Sequence, residues 1–156
     1  MTDKIITTKI EVCQFEELPS DEQHLVELAR KATKASYSPY SQFRVGAALM
    51  LANGVCIKGA NQENAAFPAG LCAERSAIFN AGSNYPGVAI TKLAVTAWTG
   101  GDFVKDPCSP CGVCRQAILE FETQSGKPIE ILLVGRDSVY RVASIKDLLP
   151  LCFTEF

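Results

Sequence analysis

The sequence predicts an α/β fold in which a β-sheet is covered by helices on both faces. Three observations carry this. The elements read helix, two strands, helix, strand, helix, strand and a short end. Strands alternating with helices late in the chain imply parallel pairing, with the crossover helices lying over the sheet. The length of 156 residues suits one domain with one sizeable core.

Each element has its own local signal. Lys4 to Phe15 carries Ile5, Ile6, Ile10, Val12 and Phe15, a pattern open to either an edge strand or a loosely held arm. Ser20 with Gln23 three residues on predicts a capping box, and Leu25, Leu28, Ala29 and Ala32 follow with helical spacing. That helix should end near Ser36, ahead of Pro39. Tyr37 to Ser41 is rich in turn formers. Phe43 to Leu51 alternates as a strand, Asn53-Gly54 is a two-residue hairpin signal, and Val55 to Ala60 is the return strand. If Asn61 and Glu63 continue extended, both point to one face. An amide beside a carboxylate suits a pair of hydroxyls such as a sugar presents; the plain alternative is a solvated loop.

Ala65 to Gly70 is a short connection. Cys72 opens a helix through Ala77, Ile78 and Ala81 that is expected to stop at Gly82. Leu93 to Trp98 reads as a buried strand, and Thr99 to Asp102 as a loop. Pro110 and Cys111 open the next helix, with Cys114, Ala117, Ile118 and Phe121 on one stripe and Gly126-Lys127-Pro128 at its end. Ile129 to Val134 is a short apolar strand, and Tyr140 to Val142 a further one. Ser144 can cap a last short helix before Pro150.

Composition narrows the function classes. Net charge is −2 and no basic run appears, which argues against a nucleic-acid partner. No apolar run approaches the ~20 residues of a membrane-spanning helix. Met1-Thr2-Asp3-Lys4 lacks a charged-then-apolar leader pattern, so a cytoplasmic protein is expected. Seven cysteines is a high and odd number, which speaks against a closed disulfide framework and for metal or catalytic use. The single histidine, His24, has no partner at ligand spacing and is expected on the surface.

Chemistry concentrates between Asn61 and Gln116. Cys111 and Cys114 form a C-x-x-C clamp, and Cys72 also sits at a helix start. Helix N-termini favour thiolates, so two such termini can converge on one Zn²⁺ ion. Glu74, two residues after Cys72, is suited to moving protons rather than to ligation. Arg75 can lie near the Cys72 sulfur and offset the charge of three thiolates. Spacing leaves other readings open. Cys108 can serve as a fourth ligand and close the site into a structural zinc module, and a C-x-x-C pair can also be a redox couple. Cys13, Cys56 and Cys152 are expected to be small packing residues.

Several motifs in order then carry a resemblance. These are Tyr37-Ser38-Pro39-Tyr40-Ser41 with Phe43 and Val45 to Leu49, Asn61-x-Glu63-Asn64, Leu71-Cys72-Ala73-Glu74-Arg75, and Ser109-Pro110-Cys111-Gly112-x-Cys114-Arg115-Gln116. From Ser20 to Phe153 the chain resembles the small homotetrameric cytidine deaminases with an all-cysteine zinc site, whose chemistry belongs to the zinc deaminases. The resemblance implies a three-layer fold with a mixed sheet of about five strands. It implies residues 18–156 as one catalytic domain behind an N-terminal arm of residues 1–17. It implies hydrolytic deamination of cytidine and deoxycytidine, in pyrimidine salvage, with a nucleoside as the small-molecule substrate. By position, Cys72, Cys111 and Cys114 would hold zinc, Glu74 would shuttle protons and Arg75 would balance charge. Asn61 and Glu63 would take the ribose hydroxyls, with Phe43 on the pyrimidine ring and Ala73 also in the substrate site. Phe67 and Phe153 would reach a neighbouring subunit's site, Phe156 being the alternative to Phe153. Deaminases of related aminopyrimidines such as blasticidin S share the all-cysteine site. Cys108 and the long arm depart from the family pattern.

Overall fold

In a computed structural model describing residues 1–154, strands form at Glu11–Cys13 (β1), Arg44–Leu51 (β2), Cys56–Ala60 (β3), Ile90–Thr99 (β4), Asp102–Phe103 (β5), Glu130–Val134 (β6) and Val139–Val142 (β7). Helices span Ser20–Ala32 (α1), Ala73–Asn84 (α2) and Gly112–Ser125 (α3). The strands make one mixed sheet in the order β1-β7-β6-β4-β2-β3, with β5 pairing on β4. Only β4 and β6 pair in parallel, and the chain crosses between them through α3. The expected five strands are the long ones. The two extra strands are short: β1 pairs antiparallel with β7, and Gly100 and Gly101, both at positive φ, fold β5 back onto the end of β4.

Alternation along β2 sorts the core into two layers. Ala47, Leu49 and Leu51 face α2 and α3, packing with Ile78, Leu93, Ile118 and Leu133. Ala48 and Met50 face α1, packing with Leu25, Val26, Ala29 and Leu132. Two glycines set how close the helices come. A Cβ on Gly46 would stand 2.2 Å from the Ala29 carbonyl oxygen of α1, and one on Gly59 would stand 2.3 Å from the Ala73 carbonyl oxygen of α2. The backbones of α1 and α2 therefore rest directly on β2 and β3.

Buried ionic groups fasten the layers. Glu22 of α1 is 1% exposed and pairs with Lys92 of β4 at 2.7 Å and Arg141 of β7 at 3.1 Å. Glu122 of α3 accepts from the Ile129 and Ile145 backbone N–H groups at 2.8 and 2.9 Å and from the Ser144 hydroxyl at 2.8 Å. One carboxylate thus holds the entry to β6 and the start of the last turn.

Three local expectations are corrected. Pro19, not Ser20, is the N-cap of α1, and the Gln23 side chain bonds the Leu18 carbonyl at 2.9 Å instead of closing a capping box. The Asn53-Gly54 hairpin has a three-residue loop: Gly54 N–H bonds Leu51 O, Leu51 N–H bonds Val55 O, and Gly54 takes φ 84°. Gly82 does not end α2, which runs to Asn84; lacking a side chain, it admits the Phe121 ring of α3. Ser144 does cap the final turn, a 3₁₀ helix over Ile145–Leu148, and Gly126 in the left-handed region ends α3.

Gly59→Ala should lower the unfolding free energy by about 1–3 kcal/mol in urea titrations, because the methyl must push α2 off β3. An unchanged midpoint would mean that the close seating of α2 is not a constraint on stability.

Candidate metal centre and adjoining cavity

Cys72 is the N-cap of α2 and Cys111 the N-cap of α3, both with extended backbone. Cys114 is three residues into α3, and on a helix that offset brings a side chain back over the cap. The same offset in α2 carries Arg75, whose Nη2 donates to the Cys72 sulfur at 3.7 Å. The sulfurs of Cys72, Cys111 and Cys114 lie within 4.8 Å of one another, with separations of 4.0 Å (Cys72–Cys111) and 3.5 Å (Cys111–Cys114). Tetrahedral Zn–S bonds of about 2.3 Å put sulfurs about 3.8 Å apart, so the donor set fits one zinc ion with a fourth position left open. It is the only such cluster among the described residues; His24 is exposed and apart from it.

The electrostatics suit ligation. The Cys72 thiol is held down at about 5, chiefly by a hydrogen bond from Cys114 and then by Arg75 and Cys111, against the effect of burial. Cys114 is pushed up by that same hydrogen bond and by burial. A divalent cation bound by the three would release their remaining protons. Glu74, on the second residue of α2, is 4% exposed. Burial raises its carboxyl above the ordinary value, and the Cys72 thiolate pushes the same way. A raised carboxyl of this kind both takes and returns a proton.

The cluster opens into a cavity of about 460 Å³ to which Glu74, Cys72 and Cys111 all contribute. Phe43, Val45 and Val95 supply apolar wall, and Asn61 and Glu63 line the cavity together, as extended residues two apart should. The Asn61 side chain is also an architectural tie. Its oxygen accepts from the Ser36 hydroxyl and from Val45 N–H at 2.8 Å, and its nitrogen donates to Phe43 O at 2.9 Å. One amide N–H remains for a ligand. The Glu63 carboxylate accepts from the Ser41 hydroxyl and from the backbone N–H of Tyr40 at 2.9 Å and of Ser41 at 3.3 Å. These bonds, the hydroxyl first, hold it below the usual carboxylate range and therefore charged.

Other residues fall differently. Ala73 is fully buried and is not among the residues lining the cavity; as the first residue of α2 its backbone N–H has no intrahelical partner. Phe67 lines the mouth at 80% exposure, with the Tyr40 ring edge-to-face at 6.4 Å. Phe153 is 64% exposed and does not line this cavity; its backbone is held to Gln116 of α3 by bonds of 2.8 and 3.3 Å. Phe156 lies outside the described residues. Cys108 lines the cavity but falls outside the sulfur cluster, and burial, with the nearby Glu74, keeps it a thiol. Cys13 and Cys56 pack beside the α1 core as expected, whereas Cys152 is exposed. Sequence reasoning missed Ser36, Tyr40 and Ser41 as supports of the cavity: Ser36 reads as the end of a helix, and Tyr40 and Ser41 read as part of a turn and of a family motif with no site role of their own.

The family model for the cytidine and deoxycytidylate deaminase zinc-binding region matches residues 19–126. The chain is 38% identical over 134 residues to a cytidine deaminase of Halalkalibacterium halodurans, covering 86% of this chain and 95% of that one. It is 40% identical over 136 residues to a cytidine deaminase of Sporosarcina psychrophila, covering 86% and 93%. Among solved structures, cytidine deaminase from Burkholderia pseudomallei matches with a TM-score of 0.70 at 39% identity, over 83% of this chain and 97% of that one. The enzyme from Mycobacterium tuberculosis matches with 0.67 at 29% identity, over 88% and 100%.

Replacing any one of Cys72, Cys111 or Cys114 by Ser should take bound zinc from about one per chain to a small fraction. Cys108→Ser should leave it unchanged. Elemental analysis of the purified proteins decides, and zinc loss in Cys108→Ser would mean a four-sulfur site.

Proposed function

This chain belongs to the cytidine and deoxycytidylate deaminase family, and we propose that it hydrolyses cytidine and deoxycytidine to uridine and deoxyuridine with release of ammonia. The observation that carries the reading is one junction. Three sulfurs spaced for a single divalent ion stand beside a buried carboxyl, Glu74, at the inner end of a ligand-sized cavity.

The all-thiolate donor set supports zinc as the cofactor. When bound, zinc supplies the Lewis acidity that makes water a nucleophile near neutral pH. Glu74 takes one proton from the attacking water and delivers it to the ring nitrogen; it then takes the second from the hydroxyl formed at the ring carbon and delivers that to the departing amine. A C–O bond forms at the ring carbon, the C–N bond breaks, the oxygen becomes the ring carbonyl, and ammonia carries the second proton away. Phe43 packs on the ring. The remaining Asn61 N–H and the charged Glu63 carboxylate take the ribose hydroxyls, and the Ala73 N–H adds a backbone donor at the metal end.

The cavity wall favours a free nucleoside over a nucleotide. Among the described residues no Lys, Arg or His lines it, and Glu63 would repel a phosphate. The exposure of Phe67 and Phe153 supports a homotetramer in which these rings reach a neighbouring cavity. We take the setting to be pyrimidine salvage in the cytoplasm.

Turnover of cytidine, deoxycytidine, cytidine monophosphate and blasticidin S, followed by ultraviolet absorbance, tests the substrate. The two nucleosides should react and the other compounds should not. Glu74→Ala should lose about 10²–10⁴ in turnover while keeping its zinc. Full activity in that variant would sink the mechanism, and preference for blasticidin S would move the substrate class.

A further inference from the structure

A second cavity, of about 430 Å³, lies near the place where β2 begins and β4 ends, and nothing in the proposed reaction uses it. Its size falls within the range of small-molecule sites, roughly 300–1,000 Å³. Arg30, Lys34 and Arg44 line it together with the rings of Trp98 and Phe103. The local carboxylates are already engaged. Glu27 pairs with Arg30 at 2.9 Å, and Asp102 pairs with Arg136 at 2.8 Å. Among the described residues Lys34 and Arg44 form no ion pair, so the wall carries uncompensated positive charge.

The cavity is built on fixed elements. Arg44 and Trp98 are direct partners in the β2–β4 register, so both side chains stand on the α1 face of the sheet. Gly46, two residues along the same face, seats the end of α1 against β2 and so fixes Arg30 and Lys34 relative to Arg44. The Arg30 guanidinium is held 4.9 Å from the Phe15 ring centre and 5.5 Å from that of Phe103. Trp98 and Phe103 meet edge-to-face at 4.9 Å. Arg44 lies between Phe43 and Val45, which line the first cavity from the opposite face. The two cavities are therefore back to back across β2.

From these features we infer that the second cavity is a binding site for a nucleoside phosphate, that is, a flat heterocycle joined to an anion. Aromatic faces take the ring, while Arg44 and Lys34 take the phosphate through charge-assisted hydrogen bonds. The first cavity has the reverse preference, since it presents a carboxylate and no cation. The inference stands apart from the deamination reading and needs no catalytic readout.

Trp98 is the only tryptophan in the chain, so intrinsic fluorescence reports this cavity directly. The test titrates zinc-loaded protein with adenosine 5′-monophosphate, whose purine is not an aminopyrimidine, alongside adenosine and inorganic phosphate. A saturable change in Trp98 emission is expected with the monophosphate, with affinity at least about tenfold above either fragment. Lys34→Glu and Arg44→Gln, both at exposed side chains, should each weaken it about tenfold or more. The idea is overturned by any of three results: no saturable change, equal binding of a fragment alone, or undiminished affinity in both variants.

Discussion

The arrangement depends on two helix N-termini being aimed at one point. Cys72 caps α2 and Cys111 caps α3, and the chain reaches these caps from different strands, β3 and β5. Their sulfurs come within 4.0 Å only because each helix is held at a defined height over the sheet. Gly59 sets that height for α2 by admitting the Ala73 backbone, and Gly82 admits Phe121 so that α2 and α3 pack closely. Glu122 fixes α3 from its far end by bonding the entry to β6 and the last turn. Packing far from the metal site thus positions its ligands, while the two helix dipoles and the unpaired first-turn N–H groups favour the thiolate charge that collects there.

The grouping of the candidate site residues was more legible in the sequence than the fold details. Helix periodicity makes Cys111 and Cys114 neighbours whatever the rest of the chain does, and the same offset relates Cys72 to Arg75. The pairing of Asn61 with Glu63 was legible only on the condition that the chain stayed extended there, with a solvated loop as the alternative; both side chains line the cavity. The errors arose where another contact outweighed the one that local preference predicts. Gly82 reads as a helix stop, but in the fold its missing side chain is filled by Phe121 and the helix continues to Asn84. Ser20 and Gln23 read as a capping box, yet the Gln23 amide finds the Leu18 carbonyl. Ser36, Tyr40 and Ser41 were invisible as site residues because their partners, Asn61 and Glu63, lie more than twenty residues away.

The Asn61 side chain both lines the cavity and ties the scaffold together. Two of its three hydrogen bonds go to the backbone of Phe43 and Val45, so the amide that faces the cavity also aligns the strand that presents the ring wall. Removing it would disturb the placement of Phe43 together with the sugar recognition proposed for it, and a single substitution does not apportion its loss between the two.

In the proposed mechanism three thiolates around a divalent ion would leave a net negative centre, which would oppose the release of a proton from bound water. The structure answers that with charge of the opposite sign on the protein side. Arg75 donates to the Cys72 sulfur at 3.7 Å, and the N-termini of α2 and α3 converge from two directions. Glu74 sits one residue before Arg75, so a quarter turn of helix separates the group that lowers the site's negative charge from the carboxyl proposed to move the proton. Their order along α2 places the cation on the sulfur and leaves the carboxyl lining the cavity, and the opposite order would put a carboxylate against a thiolate. In the proposed reaction the tetrapeptide Cys72-Ala73-Glu74-Arg75 therefore works as a unit: the cap would supply the ligand, the third residue the proton carrier and the fourth the counter-charge.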